Sequence, residues 1–205
     1  PAKREWFSAN GLLIRKTQTA EPIALIEEIS QFYTWVKRSY FISGEIDAQP
    51  TNQYLMDNFI ARIKSKEALG HKIRFIKEFA YAIKRLHQKG INHYDLKANN
   101  ILIKSCHKGA KTQKEFGVLS DLVSSWQYIF LDLDRVRFSK EVSLENRIKS
   151  LAQLNAAVTE VMSRADRLRF YRFYSHGETS LPKNQEKDII KRIMGITIKR
   201  NHFWP

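Results

Sequence analysis

Ile91-Asn92-His93-Tyr94-Asp95-Leu96-Lys97-Ala98-Asn99-Asn100-Ile101-Leu102-Ile103 decides how this chain is read. A short polar loop runs straight into an apolar strand. His93 stands two residues before Asp95, Lys97 two after it and Asn100 five after it. Each group brings something different. A carboxylate accepts a proton from a hydroxyl, an ammonium steadies a transferring anion, and an amide oxygen is a hard ligand for a small cation. Reactive groups are often carried on loops held by a rigid scaffold, and the strand supplies one here.

The spacing matches H-x-D-L-x-x-x-N, a loop pattern of phosphoryl transfer. That reaction asks the protein mainly for positioning and charge balance. Asp95 fits the proton acceptor, Lys97 the contact to the moving phosphoryl group, and Asn100 a Mg2+ ligand. The alternative is a polar turn before a strand, with accidental spacing. Farther on, Tyr128-Ile129-Phe130-Leu131-Asp132-Leu133-Asp134-Arg135 ends an apolar strand in two acids one residue apart. If strand geometry continues, both acids point to one side. Burying them without a cation is costly, so Arg135, Arg137 or Mg2+ is expected to neutralise them. Asp132 is the candidate metal ligand.

The bulk properties set bounds. A chain of 205 residues holds one domain with a real core, or a domain plus a small appendage. Hydrophobic content of 43% and charged content of 27% are ordinary for a globular protein. There is no run of about 18 apolar residues of the kind a membrane span needs, and Pro1-Ala2-Lys3-Arg4-Glu5-Trp6 has no apolar signal core. The single cysteine, Cys106, cannot form an internal disulfide and fits a reducing, cytoplasmic setting. A formal charge of +14 and a pI near 9.9 call for an anionic partner: nucleic acid, an anionic membrane surface or a phosphorylated substrate. The basic residues are dispersed, with no compact tract or zinc-ligand set, so specific nucleic-acid binding is not expected.

Periodicity places the elements. Trp6, Ala9, Leu13 and Lys16 predict a helix over 2–17, which Gly11 weakens. Glu5 in its first turns reads either as a solvated acid favoured by the helix dipole or as a functional acid facing a site. Pro22 to Glu27 reads as a strand, and a strand pair is expected between Phe32 and Ile46. Gly44-Glu45-Ile46-Asp47 breaks it, either as a plain turn or as a hinge. Short and long amphipathic helices follow over 55–63 and 72–89, the latter stopped by Gly90. His87 reads as a helix-end residue. Residues 104–127 read as a surface insertion, in which adjacent Cys106 and His107 lack the second pair a metal site needs. Helices are expected over 144–162, 165–174 and 181–198. Asn155 reads as solvated.

Taken together, these residues resemble the bacterial lipopolysaccharide kinase family, the Kdo and heptose kinases of the core oligosaccharide. The likeness rests on Ala2-Lys3-Arg4-Glu5-Trp6, Glu21-Pro22-Ile23-Ala24-Leu25-Ile26-Glu27 and His93-Tyr94-Asp95-Leu96-Lys97-Ala98-Asn99-Asn100. It continues through Leu131-Asp132-Leu133-Asp134-Arg135, Ser150-Leu151-Ala152-Gln153-Leu154-Asn155 and Asp166-Arg167-Leu168-Arg169-Phe170. It implies an α+β, protein-kinase-like fold in one catalytic domain over 1–205. Residues of about 1–47 would form a partial N-lobe (helix C and the following strands), and 48–205 a mainly helical C-lobe. By the same resemblance Asp95 is the catalytic base and Lys97 touches the transferred phosphate. Asn100 and Asp132 bind Mg2+. Glu5 pairs with an ATP-binding lysine, and Glu45 and Asp47 lie at the nucleotide hinge.

The implied activity is ATP- and Mg2+-dependent phosphorylation of a Kdo or heptose hydroxyl. The implied partner is an anionic glycolipid, met peripherally at the cytoplasmic face of the inner membrane. The alternatives are a kinase-like enzyme with a protein or other small-molecule acceptor, and an inactive kinase-like binding module. Two departures bear on this. No G-x-G-x-x-G and no Val-Ala-x-Lys-type strand occurs in the sequence, so the nucleotide-clamping part is expected either upstream or missing. The segment between Ile103 and Tyr128 is also longer than the tight hairpin usual there.

Overall fold

The computed structural model describes residues 1–30, 35–60, 65–106, 125–158, 161–177 and 185–200. Helix α1 (Ala2–Ile14) leads into an antiparallel hairpin of β1 (Pro22–Ile29) and β2 (Val36–Ser43). A two-residue strand β3 (Gln49–Pro50), helix α2 (Thr51–Phe59) and the long α3 (Lys66–Gln88) follow. Strand β4 (Ile91–His93) then pairs antiparallel with β7 (Val136–Phe138). Strands β5 (Ile101–Ser105) and β6 (Trp126–Phe130) pair beside β3, giving the order β3-β5-β6. Helices α4 (Leu144–Ala157), α5 (Arg164–Ser175) and α6 (Glu186–Lys199) complete the fold.

The core lies around α3. Its apolar stripe of Phe75, Ile76, Phe79, Ala80, Ile83 and Leu86 is buried, as a helix with 3- to 4-residue periodicity requires. Tyr54 of α2 stacks on Phe75 with ring centroids 5.2 Å apart, and Tyr128 of β6 stacks on Phe79 at 5.4 Å. Polar ties fix α3 to α5. Lys72 Nζ lies 2.8 Å from Asp166, both side chains about 5% exposed, and buried His87 Nδ1 lies 2.8 Å from Tyr174 Oη. A buried ion pair of this kind fixes geometry more than it adds stability. His87 is thus more than a helix end. Burial, with the nearby Arg147 charge, pushes its pKa down to about 3.

Several boundaries differ from the sequence expectations. α1 stops at Ile14, and the β1 partner is one strand rather than a pair between Phe32 and Ile46. α2 begins earlier, with buried Thr51 donating its hydroxyl to the Ile101 carbonyl at 2.8 Å. α3 also begins earlier, where the Ser65 side chain caps the Ala68 amide. α4 was expected to reach Met162 but ends at Ala157. There Arg167 donates to the carbonyls of Asn155, Val158 and Met162 and so satisfies the helix end. Asn155 is accordingly bound, not merely solvated: it donates to Thr197 Oγ1 at 3.0 Å and accepts from Arg167. The expected start of α6 at residue 181 and most of the expected insertion, 107–124, lie outside the described residues. The 104–127 boundaries shift too, because β5 runs to Ser105 and β6 starts at Trp126. Gly11, which weakens the helix prediction, has a packing reason: a Cβ there would lie 2.5 Å from the Phe138 ring.

Candidate active site

The loop is placed from below by Gly90. Its φ of +68° ends α3, and any Cβ would meet the Ser139 carbonyl oxygen at 1.8 Å, so glycine alone fits. The chain then enters β4, whose three residues are all buried. His93 is the last of them and is fully buried. Its Nε2 lies 2.9 Å from the Leu131 carbonyl oxygen, and its Nδ1 lies 3.3 Å from the Asp95 amide. The carbonyl can only accept, so Nε2 carries the proton and Nδ1 accepts from Asp95 N–H. Only the neutral ring makes both bonds. Burial lowers its pKa, partly offset by the Leu131 carbonyl and by Asp132, Asp95 and Asp134.

Asp95 follows with a carboxylate 14% exposed. Lys97 Nζ approaches its two oxygens at 2.8 and 2.9 Å. Asn100 sits in a single 3-10 turn over Ala98–Asn100. Its Nδ2 donates to the Asp95 carbonyl at 3.0 Å and to Asp95 Oδ2 at 3.3 Å, and meets Asp132 Oδ2 at 3.2 Å. Because three acceptors face the NH2 end, Oδ1 is the amide atom able to act as a ligand. Gln153 of α4 reaches the same loop: it donates to the Tyr94 carbonyl at 2.6 Å and accepts from the Leu96 amide at 3.2 Å.

The strand geometry expected for Asp132 and Asp134 is not found. β6 ends at Phe130, and Asp132 takes a left-handed conformation (φ 56°, ψ 61°) that opens a 3-10 turn over Leu133–Arg135. Left-handed backbone costs roughly 1–2 kcal/mol for a residue with a side chain, and such strain gathers at functional sites. The turn nonetheless brings Asp132 to Asn100. Glu5 of α1 faces the same turn. Burial raises its pKa, as does the charge of Asp132; the Leu133 amide opposes the rise and Asp134 adds to it. Glu5 is thus half-buried against the turn that carries Asp132 and is not a fully solvated helix-end residue. Of the neutralising groups considered for these acids, neither arginine is used: among the described residues neither Arg135 nor Arg137 pairs with them, and Arg137 donates instead to the Val136 carbonyl.

The structure thus gathers Glu5, Asp95, Lys97, Asn100 and Asp132. It leaves Glu45 and Asp47 exposed on the link between β2 and β3, with no hydrogen bond to the loop among the described residues. His93 and Gln153 bond the backbone of this loop from opposite sides. The motif spacing flags His93, whereas nothing local singles out Gln153. Asn100 and Asp132 offer one amide oxygen and one carboxylate. Mg2+ commonly takes only one or two carboxylates and fills its shell with water and phosphate oxygens, so this pair fits it. No cluster of three or more His, Cys, Asp or Glu suited to a metal occurs among the described residues, so no all-protein cage of that kind stands in for it there.

Helix α1, the small sheet, the Asp95 loop and the Asp132 turn, met in this chain order before a helical unit, make a kinase-like fold. A family model described as the lipopolysaccharide kinase (Kdo/WaaP) family matches residues 55–174. The chain belongs to that family. Among solved structures, WaaP in complex with acyl carrier protein is similar with a TM-score of 0.69 at 20% identity, over 99% of this chain and 77% of that one. A Rio2 kinase–ADP/Mg2+–phosphoaspartate complex from Chaetomium thermophilum is more distant, with a TM-score of 0.46 at 16% identity, covering 98% and 49%. Comparison with curated proteins gives no match. No helix among the described residues is long and apolar enough to cross a membrane.

Proposed function

We propose that this chain is an ATP-dependent phosphotransferase acting on a Kdo or heptose hydroxyl of the lipopolysaccharide inner core. The observation that carries the reading is the convergence of Asp95, Lys97, Asn100 and Asp132, held by His93, within a family of lipopolysaccharide kinases. Asp95 accepts the acceptor hydroxyl's proton as the oxygen attacks. Lys97, already paired with Asp95, lies where it can also contact the transferring phosphoryl group. Asn100 Oδ1 and Asp132 would hold Mg2+, which would neutralise phosphate charge when bound. Glu5 receives the ammonium of an ATP-binding lysine. Glu45 and Asp47 flank the nucleotide at the hinge between a partial N-lobe over 1–47 and a C-lobe over 48–205. The basic surface suits peripheral contact with an anionic glycolipid membrane.

Phosphate transfer from radiolabelled ATP with Mg2+ to a panel of core sugars tests this. Asp95→Asn should lower the rate by about 10^2- to 10^4-fold, the usual worth of a positioned general base, with the melting temperature little changed. Full activity in that variant overturns the mechanism. Transfer only to protein or other small acceptors favours the broader kinase reading. No transfer by the unaltered chain favours a binding module.

A second reading has its own support. An apolar cavity of about 570 Å3, lined by Phe75, Phe79, Leu151, Leu154, Ile193 and Met194 among others, lies apart from the Asp95 loop. It has the size and lining of a site for an apolar ligand, such as a hydrocarbon chain. Since the similar WaaP structure is a complex with acyl carrier protein, we propose that this chain too binds an acyl carrier protein through its acyl group. Acylated carrier should bind in a titration and the unacylated carrier should not; no binding of either overturns it.

A further inference from the structure

Gln153 sits in the interior of α4, between buried Ala152 and buried Leu154. It makes no contact with the reacting groups through their side chains. It instead holds the backbone on both sides of Asp95, donating to the Tyr94 carbonyl at 2.6 Å and accepting from the Leu96 amide at 3.2 Å. One bond requires a donor and the other an acceptor, so the carboxamide orientation is fixed by its two partners. The two peptide groups it grips are those that set the direction of the Asp95 Cα–Cβ bond. α4 gives the grip a rigid base: Ser143 caps its first turn, and Ile148, Leu151, Ala152 and Leu154 are buried along it. His93 fixes the Asp95 amide from the opposite element, through the turn that carries Asp132.

We infer that Gln153 is a positioning residue for the base. It keeps Asp95 aimed at the acceptor hydroxyl, and with α4 it ties the base to the helical half of the molecule. The inference rests on the reading of Asp95 as the base. A misplacement of about 1 Å in a catalytic group is enough to lower rates about 10^2-fold. The expected signature of losing the grip is therefore a fall in kcat with the ATP KM retained, because Gln153 touches no group assigned to the nucleotide.

Two substitutions separate the bonds. Gln153→Met keeps the length and removes both. Gln153→Glu keeps an oxygen for the Leu96 amide but sets a carboxylate against the Tyr94 carbonyl. Amide hydrogen exchange at Leu96, read by NMR, reports the grip without needing catalysis; phosphotransfer kinetics report its use. Gln153→Met should speed Leu96 exchange at least tenfold and lower kcat about 10- to 100-fold at unchanged ATP KM. Gln153→Glu should keep Leu96 protected and fall between. Unchanged Leu96 exchange in Gln153→Met overturns the grip. Faster exchange with kcat within twofold of the unaltered chain overturns the positioning role. If the unaltered chain transfers no phosphate, the reading of Asp95 has failed, and with it the positioning role; the exchange data still decide whether the grip exists.

Discussion

The two halves of the candidate site are built to opposite rules. In the Asp95 loop every group that fixes the base is satisfied. The Tyr94 carbonyl, the Asp95 amide and carbonyl and the Leu96 amide all have partners, and Lys97 balances the carboxylate. In the turn over Leu131–Arg135, Asp132 sits in left-handed backbone, and its charge adds to the burial that already raises the Glu5 pKa. No cation pairs with Asp132 or Asp134 among the described residues. One region is finished without a ligand and the other holds surplus negative charge. That division suits phosphoryl transfer. A general base must be preorganised, whereas acids that take Mg2+ gain their counter-charge from it.

Breaking the link between the halves should produce the largest effect on stability. His93→Leu leaves the Leu131 carbonyl and the Asp95 amide without their partner. An unpaired buried group costs about 1–3 kcal/mol; both bonds here are part-buried, so a loss of roughly 2–4 kcal/mol, in the lower part of the sum for two groups, is expected from urea unfolding. A loss under 1 kcal/mol would show that the two regions are not joined through this ring. The same residue carries a pH dependence. The native imidazole is neutral, with its pKa held below the ordinary 6.5. As pH falls below 6.5, the unfolded chain binds a proton that the native chain refuses, and stability drops. The slope is about 1.4 kcal/mol per pH unit for each such group. His87 acts in the same sense down to about pH 3. His93→Leu should remove one proton's share of the slope and leave that of His87.

How far the sequence disclosed this site depended on separation along the chain. Asp95, Lys97 and Asn100 are legible because the chemistry fits within six residues. Asp132 is legible because an acid pair at a strand end is unusual, yet its conformation is not: continued strand geometry was the wrong premise, and a left-handed residue turned the chain instead. Glu5 had two readings until the fold set it against that turn. The contact of Gln153 with the Asp95 loop was invisible, since its partners lie 57 and 59 positions away. Asn155 misled for a similar reason, its partners Arg167 and Thr197 being 12 and 42 residues distant. Helix periodicity found α3, whose Ile76, Ala80, Ile83 and Leu86 are buried at that spacing, but it did not single out the buried Phe75 and Phe79 beside them. Helix ends moved where a cap or a distant arginine satisfied the last backbone groups, and periodicity carries no record of that.

On the charged side of the site the expected effect on stability is smaller and of opposite sign. Asp132→Asn keeps a side chain that tolerates left-handed backbone and an oxygen for Asn100, but it removes one charge beside Glu5. Without bound ligand it should stabilise the fold by about 0.5 kcal/mol at low salt, the scale of exposed charge interactions, and by less at high salt. Glu5 reports the same change. With a raised pKa, the native chain retains a proton that the unfolded chain releases as pH climbs above 4.5, so stability is lost on that rise. The substitution should make this loss smaller. Mg2+ without nucleotide should raise the melting temperature of the unaltered chain and leave that of Asp132→Asn in place, while phosphotransfer by the variant falls sharply. A variant that is less stable at low salt, or that keeps the Mg2+ shift, would mean that Asp132 is held by packing and does not serve a bound cation.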